Sequence, residues 1–173
     1  LAKVWQDGNI IIENSDHNKR SKSKPKLDTK FEEKVGLLHH YPGSDPKALD
    51  FFVDEGYKGV ILAGTGFGHV STNPEKKKFS WTKHVKDAVD SGMFVGMTSQ
   101  TLYGKAYPLV YSAGRILKDA GAVYLKDMLP ETAFVKLGWV LGHTKKQDKA
   151  EEMMLENYAN EFNNKIEPET FLY

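Results

Sequence analysis

The sequence predicts an α/β fold: a three-layer α/β/α sandwich with a small, mostly parallel sheet of about four strands, preceded by an N-terminal β-hairpin. Three observations carry that expectation. Strand-like apolar runs alternate along residues 34–125 with segments whose apolar residues recur at helical spacing, the pattern of right-handed βαβ units. The run Gly59-Val60-Ile61-Leu62-Ala63 has no polar position, as expected of a parallel strand covered on both faces. Near the start, Asp7-Gly8 sits between two β-prone runs, which is a hairpin signal.

Taken in order, Ala2 to Trp5 and Asn9 to Glu13 flank Gln6-Asp7-Gly8 and form the hairpin. Residues 14–30 hold almost nothing apolar; Lys19, Arg20, Lys22, Lys24 and Lys26 are interleaved with serines and Pro25, the composition of a loop or linker. Hairpin and basic linker therefore make one segment, 1–30, and the α/β domain the rest, 31–173. Lys34 to Tyr41 is its first strand. Pro42-Gly43 turns the chain, and Ser44-Asp45-Pro46 opens a helix with proline at the first helical position. Leu49, Phe52 and Val53 share one face of that helix, and Gly56 stops it. Lys58 to Ala63 is the second strand. After a glycine-rich loop and Lys76-Lys77-Lys78, the residues Trp81, Val85, Ala88 and Val89 repeat at helical spacing as far as Gly92. Met93 to Thr98 is the third strand, with 99–107 as its loop. Leu109 to Ala120 is a helix closed by Gly121, and Ala122 to Leu125 a short fourth strand. Pro130 opens the next helix with Glu131 in its first turn, where negative charge suits the helix dipole, and Ala133, Leu137, Val140 and Leu141 line its buried face. A last helix is expected from about Gln147 to Phe162, because Ala150, Met154, Tyr158 and Phe162 follow one another four apart.

The chain has 173 residues, enough for one full hydrophobic core and too few for two large domains. Its 24 Lys and Arg against 23 Asp and Glu leave a net charge of +1, so no global field draws it to nucleic acid or membrane. Absence of cysteine excludes disulfides, thiolate metal sites and a cysteine nucleophile, and agrees with an intracellular protein. No apolar run approaches the roughly 18 residues of a spanning helix, and no signal-peptide pattern opens the chain; no membrane partner is expected. The chain opens at Leu1 rather than Met, which raises the expectation that an N-terminal part is missing.

The loop Gly64-Thr65-Gly66-Phe67-Gly68-His69-Val70-Ser71 leaves the carboxyl end of the second strand, where open α/β sheets bind ligands. Three glycines within five residues mean a sharp bend or a close backbone approach. The spacing fits neither the dinucleotide fingerprint nor the phosphate loop; a tight turn without a ligand has the same signature. His69, at the end of the loop, can donate or accept a hydrogen bond, or be a surface histidine. His39 and His40 alternate across a strand, so one of them faces inward; they read as structural, since no histidine or carboxylate lies at a familiar metal spacing. Thr98, Ser99, Gln100 and Thr101 end the third strand at the same sheet edge as the glycine loop. A hydroxyl nucleophile would need a base and an oxyanion donor in reach, and no Ser-His-Asp order supplies them. The basic run from Lys19 to Lys26 has the composition of an RNA-phosphate contact, and more ordinarily of a solvated loop.

Three separated strings point further: Thr98-Ser99-Gln100-Thr101-Leu102-Tyr103-Gly104-Lys105, then Val110-Tyr111-Ser112-Ala113-Gly114-Arg115, then Asp127-Met128-Leu129-Pro130-Glu131-Thr132-Ala133-Phe134-Val135-Lys136-Leu137. Together they resemble the C-terminal domain of the asparaginase/glutaminase family, and within it the D subunits of archaeal glutamyl-tRNA(Gln) amidotransferases. Gly64-Thr65-Gly66-Phe67-Gly68-His69-Val70 looks like the Gly-Thr-Gly-x-Gly-His loop of those subunits, where many plain asparaginases carry Asn at the His69 position.

The resemblance implies half of an enzyme, with no catalytic residue in this chain. The family's nucleophilic threonine and its Thr-Asp-Lys group belong to an N-terminal domain that is the first expected partner; a homodimer and the E subunit of the amidotransferase are the others. The loop at His69 would hold the amino-acid head group of substrate in a neighbouring subunit's site, with Gln100 and Tyr111 as further contacts and Gly64, Thr65, Gly66 and Gly68 shaping the loop. No cofactor or metal is expected here; ATP and Mg would serve the partner subunit, which would also make most of the tRNA contact. The setting implied is the cytoplasm. The alternatives are a C-terminal fragment of a cytoplasmic L-asparaginase, and a non-catalytic stand-alone binding or dimerisation module.

Overall fold

The computed structural model describes residues 2–12 and 20–165. Strands β1 (Ala2–Val4) and β2 (Ile10–Ile12) pair antiparallel around the Asp7-Gly8 turn, where Gly8 takes a φ of 86°. Asp7 fixes the turn by accepting from the Asn9 amide at 3.0 Å. Glu13 and Lys19, which the sequence placed in the hairpin and the linker, lie outside the described residues.

The body is a four-stranded, fully parallel sheet in the order β3-β4-β5-β6, formed by Val35–His39, Gly59–Gly64, Phe94–Ser99 and Val123–Tyr124. The two central strands are buried at every position, as the uninterrupted apolar run required. Between them run helices α1 (Lys47–Asp54), α2 (Thr82–Asp90) and α3 (Ser112–Asp119); α4 (Pro130–His143) and α5 (Gln147–Leu155) follow the last strand. Side-chain alternation divides the interior into two cores. Val60, Leu62, Val95 and Met97 point to the face covered by α1, α2 and α3, where Leu49, Trp81, Val85 and Leu117 meet them. Ile61, Phe94 and Leu125 point to the other, against Ala133, Leu137, Val140, Ala150 and Met154 of α4 and α5. The three-layer expectation holds on those contacts.

Two elements differ from the sequence reading. The α3 helix begins at Ser112, not Leu109; Leu109 and Val110 are exposed, and Tyr111 is the extended residue before its first turn. The last helix stops at Leu155, although Tyr158 and Phe162 continue its four-residue spacing. The reason is a tertiary capture. The Lys136 ammonium takes the carbonyl of Glu156 and the carboxylate of Glu161, both at 2.5 Å, and the chain turns through Asn160 at φ 59°. Phe162 is buried all the same, carried in by this strap rather than by a helix.

The end of the linker is docked on α4. Gly138 and Gly142, one turn apart, admit it: a Cβ at Gly142 would stand 2.7 Å from the Lys30 backbone, and the Glu32 amide donates to the Gly138 carbonyl at 2.8 Å. Among the described residues no helix is long and apolar enough to cross a membrane.

Candidate functional site

The parallel sheet brings the ends of β4 and β5 side by side, with Gly64 opposite Ser99. The loop after β4 folds straight back on itself. Thr65 and His69 exchange two main-chain hydrogen bonds of 2.9 Å, and Gly66 and Gly68 take φ values of 52° and 80° that other residues rarely adopt. What Gly64 approaches so closely is the returning limb of its own loop: a Cβ there would lie 2.6 Å from the carbonyl carbon of Gly68 and the nitrogen of His69. Ser99 completes the brace, donating to the Gly66 carbonyl at 2.5 Å and contacting Thr101 Oγ1 at 2.6 Å.

This rigid turn presents two rings. Phe67 projects from its tip and His69 from its base, and both meet Tyr111, which the chain brings in from just before α3. The His69 and Tyr111 centroids are 5.4 Å apart at 71°, Phe67 and Tyr111 6.1 Å apart at 49°. Nε2 of His69 is buried with no hydrogen-bond partner, an unusual state for a ring nitrogen beside a partly open surface. Burial holds the His69 imidazole below its ordinary value of 6.5, so the neutral ring is the resting form. Thr98 Oγ1 is buried and unpartnered as well.

Gln100 lies at the same edge but its amide NH2 is engaged, donating to the carbonyls of His40 at 2.6 Å and Ala63 at 2.7 Å. Its side chain ties the end of β3 to β4. His69 and Tyr111 thus come together as one aromatic corner, whereas Gln100 acts on the sheet edge beneath it. Phe67 escaped the sequence reading; its place between two loop glycines was the available signal.

His40 is the inward-facing histidine of the pair and His39 the exposed one. Its Nδ1 meets Ser44 Oγ at 3.0 Å and its Nε2 meets Ser71 Oγ at 3.4 Å, while its ring stands edge-on to Trp81. Each hydroxyl has a histidine, but no carboxylate orients that histidine. The two histidines that do meet carboxylates, His84 with Asp50 and His143 with Asp28, have no hydroxyl on their remaining nitrogen among the described residues. Among the described residues no cluster of three or more His, Asp or Glu could hold a metal ion.

A parallel α/β sheet thus carries, at the carboxyl ends of its two central strands, a glycine-braced turn that brings Phe67 and His69 against Tyr111. The chain belongs to the asparaginase/glutaminase family: the family profile described as Glutaminase/Asparaginase C-terminal domain matches residues 34–154. At 47% identity over 172 residues, 99% of its length, it is similar to the D subunit of the glutamyl-tRNA(Gln) amidotransferase of Pyrococcus furiosus, and at 46% to that of Thermococcus kodakarensis. It spans only 38% of the length of either relative. Among solved structures, the thermostable L-asparaginase from Thermococcus kodakarensis superposes with a TM-score of 0.76 at 27% identity, over 95% of this chain and 47% of that one. L-asparaginase I from Vibrio cholerae, TM-score 0.74 at 24% identity over 90% of this chain and 46% of its own, shares the fold.

Proposed function

We propose that this chain is the substrate-holding C-terminal part of a tRNA-dependent amidotransferase D subunit. In the complete protein an N-terminal domain would carry the nucleophile, cleave the side-chain amide of Gln or Asn through an acyl-enzyme, and release ammonia. The E subunit, using ATP and Mg, would consume that ammonia in converting Glu-tRNA(Gln) to Gln-tRNA(Gln). The observation that carries this reading is the degree of likeness: 47% and 46% identity to D subunits over 99% of the chain, against 27% to an asparaginase of known structure. The geometry supports it. His69 offers a part-exposed neutral imidazole at the carboxyl edge of the sheet, the kind of group that can bind an amino-acid head group. Phe67 and Tyr111 flank its ring, and the Gly64–His69 turn holds Phe67 and His69 in place.

In a homodimer this corner would complete a neighbouring subunit's active site, with Tyr111 and the amide oxygen of Gln100 as secondary contacts. The isolated chain is then inactive. The test is ammonia release from Gln and Asn by the 173-residue chain and by the full-length protein with and without His69→Ala. We expect no turnover from the chain alone, and in the full-length variant a loss of at least about tenfold in kcat/KM, the size of one hydrogen bond to a charged group, appearing mainly in KM. A measurable rate from the chain alone overturns the proposal. A second reading, the C-terminal part of a free-standing asparaginase, is favoured by the TM-score of 0.76. Stimulation of ammonia release by the E subunit and Glu-tRNA(Gln) separates the two.

A further inference from the structure

The segment that follows the β5 loop is held from two directions. The Ala106 amide donates to the Lys126 carbonyl at 2.7 Å and the Tyr107 amide to the Phe67 carbonyl at 3.0 Å, so two consecutive residues join Lys126 to the tip of the glycine turn. Lys126 itself takes the left-handed φ of 60° that a side chain disfavours, a conformation kept only where the surroundings impose it. Ala106 also closes on the turn directly, since a Cβ at Gly68 would stand 3.0 Å from its own. Arg115 Nη1 then donates to the Leu109 carbonyl at 2.9 Å, and the chain arrives at Tyr111, 5.4 Å from the His69 ring. On the far side the segment has room: a cavity of about 490 Å³ lies between residues 105–108 and Lys118, Val123 and Tyr124. Hydrogen bonds rather than close packing therefore set its position on that side.

We propose that Lys105 is a positioning residue for the aromatic corner: by donating to the Asn164 carbonyl at 2.7 Å, 59 residues on, it pins residues 105–107 to the 156–164 strap and so keeps Phe67 and Tyr111 set against His69. Its effect on turnover rests on the reading above that this corner holds substrate; the pinning itself does not. The strap is a fixed post without Lys105. Asp127 accepts from the Asn163 amide at 2.7 Å and from its side-chain amide at 2.9 Å, and Lys126 Nζ donates to Asn164 Oδ1 at 2.8 Å. Stability alone is a poor account of the Lys105 contact. Two ammoniums end on one neutral asparagine, and burial first, then the charge of Lys105, hold Lys126 below its ordinary value of 10.5. A like-charge pair gains little from that arrangement. The loop gains a defined place.

The test compares Lys105→Met and Lys105→Arg with the parent in the full-length protein. With Met, the Tyr107 amide should exchange with solvent at least about tenfold faster, and KM in ammonia release should rise at least about fivefold with kcat within about twofold. Arg, which still donates, should bring both back to within about twofold of the parent, and the unfolding midpoint should stay within about 2 °C in each variant. A midpoint that moves while Tyr107 exchange and KM stay put makes Lys105 merely structural and overturns the proposal, as do unchanged values throughout. A fall in kcat that Arg does not restore gives Lys105 a direct part in the chemistry and also overturns it. A parent protein that releases no ammonia removes the substrate-holding reading, and Tyr107 exchange then decides the pinning by itself. Should Lys105→Met fail to fold, Asp127→Ala, which frees the strap at Asn163 and leaves Lys105 in place, should speed Tyr107 exchange in the same direction; an unaltered rate there overturns the proposal.

Discussion

Replacing Lys136 by Met should strand a buried carboxylate. The Lys136 and Glu161 side chains are only 7% and 8% exposed, and their charged atoms meet at 2.5 Å. The Tyr158 and Phe162 rings stand 5.1 and 5.2 Å from the ammonium and exclude water from it. Removing one member of such a pair costs about 3–5 kcal/mol, because the other charge stays desolvated. Glu161 keeps two main-chain donors, Tyr158 at 3.2 Å and Ala159 at 2.6 Å. Those bonds place the expected loss near the lower end, about 3 kcal/mol. At roughly 2–4 °C per kcal/mol for a domain of this size, Tm should fall by about 6–12 °C. The assay is urea unfolding with calorimetry on the chain, on Lys136→Met, and on Lys136→Met with Glu161→Met. The double variant should recover most of the loss, since it leaves no charge behind. A single variant within about 1 kcal/mol of the parent, or a double no better than the single, would refute the view that this pair is desolvated and holds the 156–164 strap.

Acid should act on the same strap. Burial pushes the Glu161 carboxyl up, but the Lys136 ammonium and the amides of Ala159 and Tyr158 outweigh it, so the group titrates below its ordinary value of 4.5. A carboxyl depressed in the folded state contributes stability above its unfolded value that is lost as pH falls through the folded one. Loss of stability on acidification below about 4.5 should therefore be weaker in the double variant.

Three further outcomes are expected. Gly64→Ala should cost about 1–3 kcal/mol, since its methyl meets loop backbone that cannot rotate away, and the His69 imidazole resonances should shift; an unchanged spectrum counts against the braced turn. Burial holds the His40 and His69 imidazoles below 6.5, so the unfolded chain binds more protons in that window. Stability is then full above 6.5 and declines as pH drops toward the folded values; His40→Gln should shallow that decline in urea-midpoint measurements, and an equal slope speaks against a buried neutral His40. Gly142→Ala should push the Lys30 backbone off α4 and speed trypsin cleavage there at least about tenfold, whereas an unaltered rate would mean the linker is not held by this contact.

Most of the architecture was legible from local pattern. Strand and helix periodicities, Pro130 and Glu131 at a helix start, and Gly56, Gly92 and Gly121 at helix ends are properties of neighbouring residues, and the elements formed where they pointed except at the start of α3 and the end of α5. The same holds for the Asp7-Gly8 turn and for the sheet edge that carries the candidate site, since a parallel sheet puts the loops after β4 and β5 together. The candidate site was legible only in part. His69 and Tyr111 could be named by type and place, but Phe67 joins them only because the loop doubles back.

By itself the sequence determined the layer order, the two-sided burial of the central strands and the need for glycine at residues 64, 66 and 68, all of which follow from short-range sterics and alternation. Tertiary structure alone decided what those features touch. Gly64 makes room for its own loop, Gln100 spends its donors on carbonyls 60 and 37 residues away, and the last helix ends where Lys136 captures Glu156 and Glu161. Such contacts depend on which distant groups share a place in space, and a one-dimensional period carries no record of that.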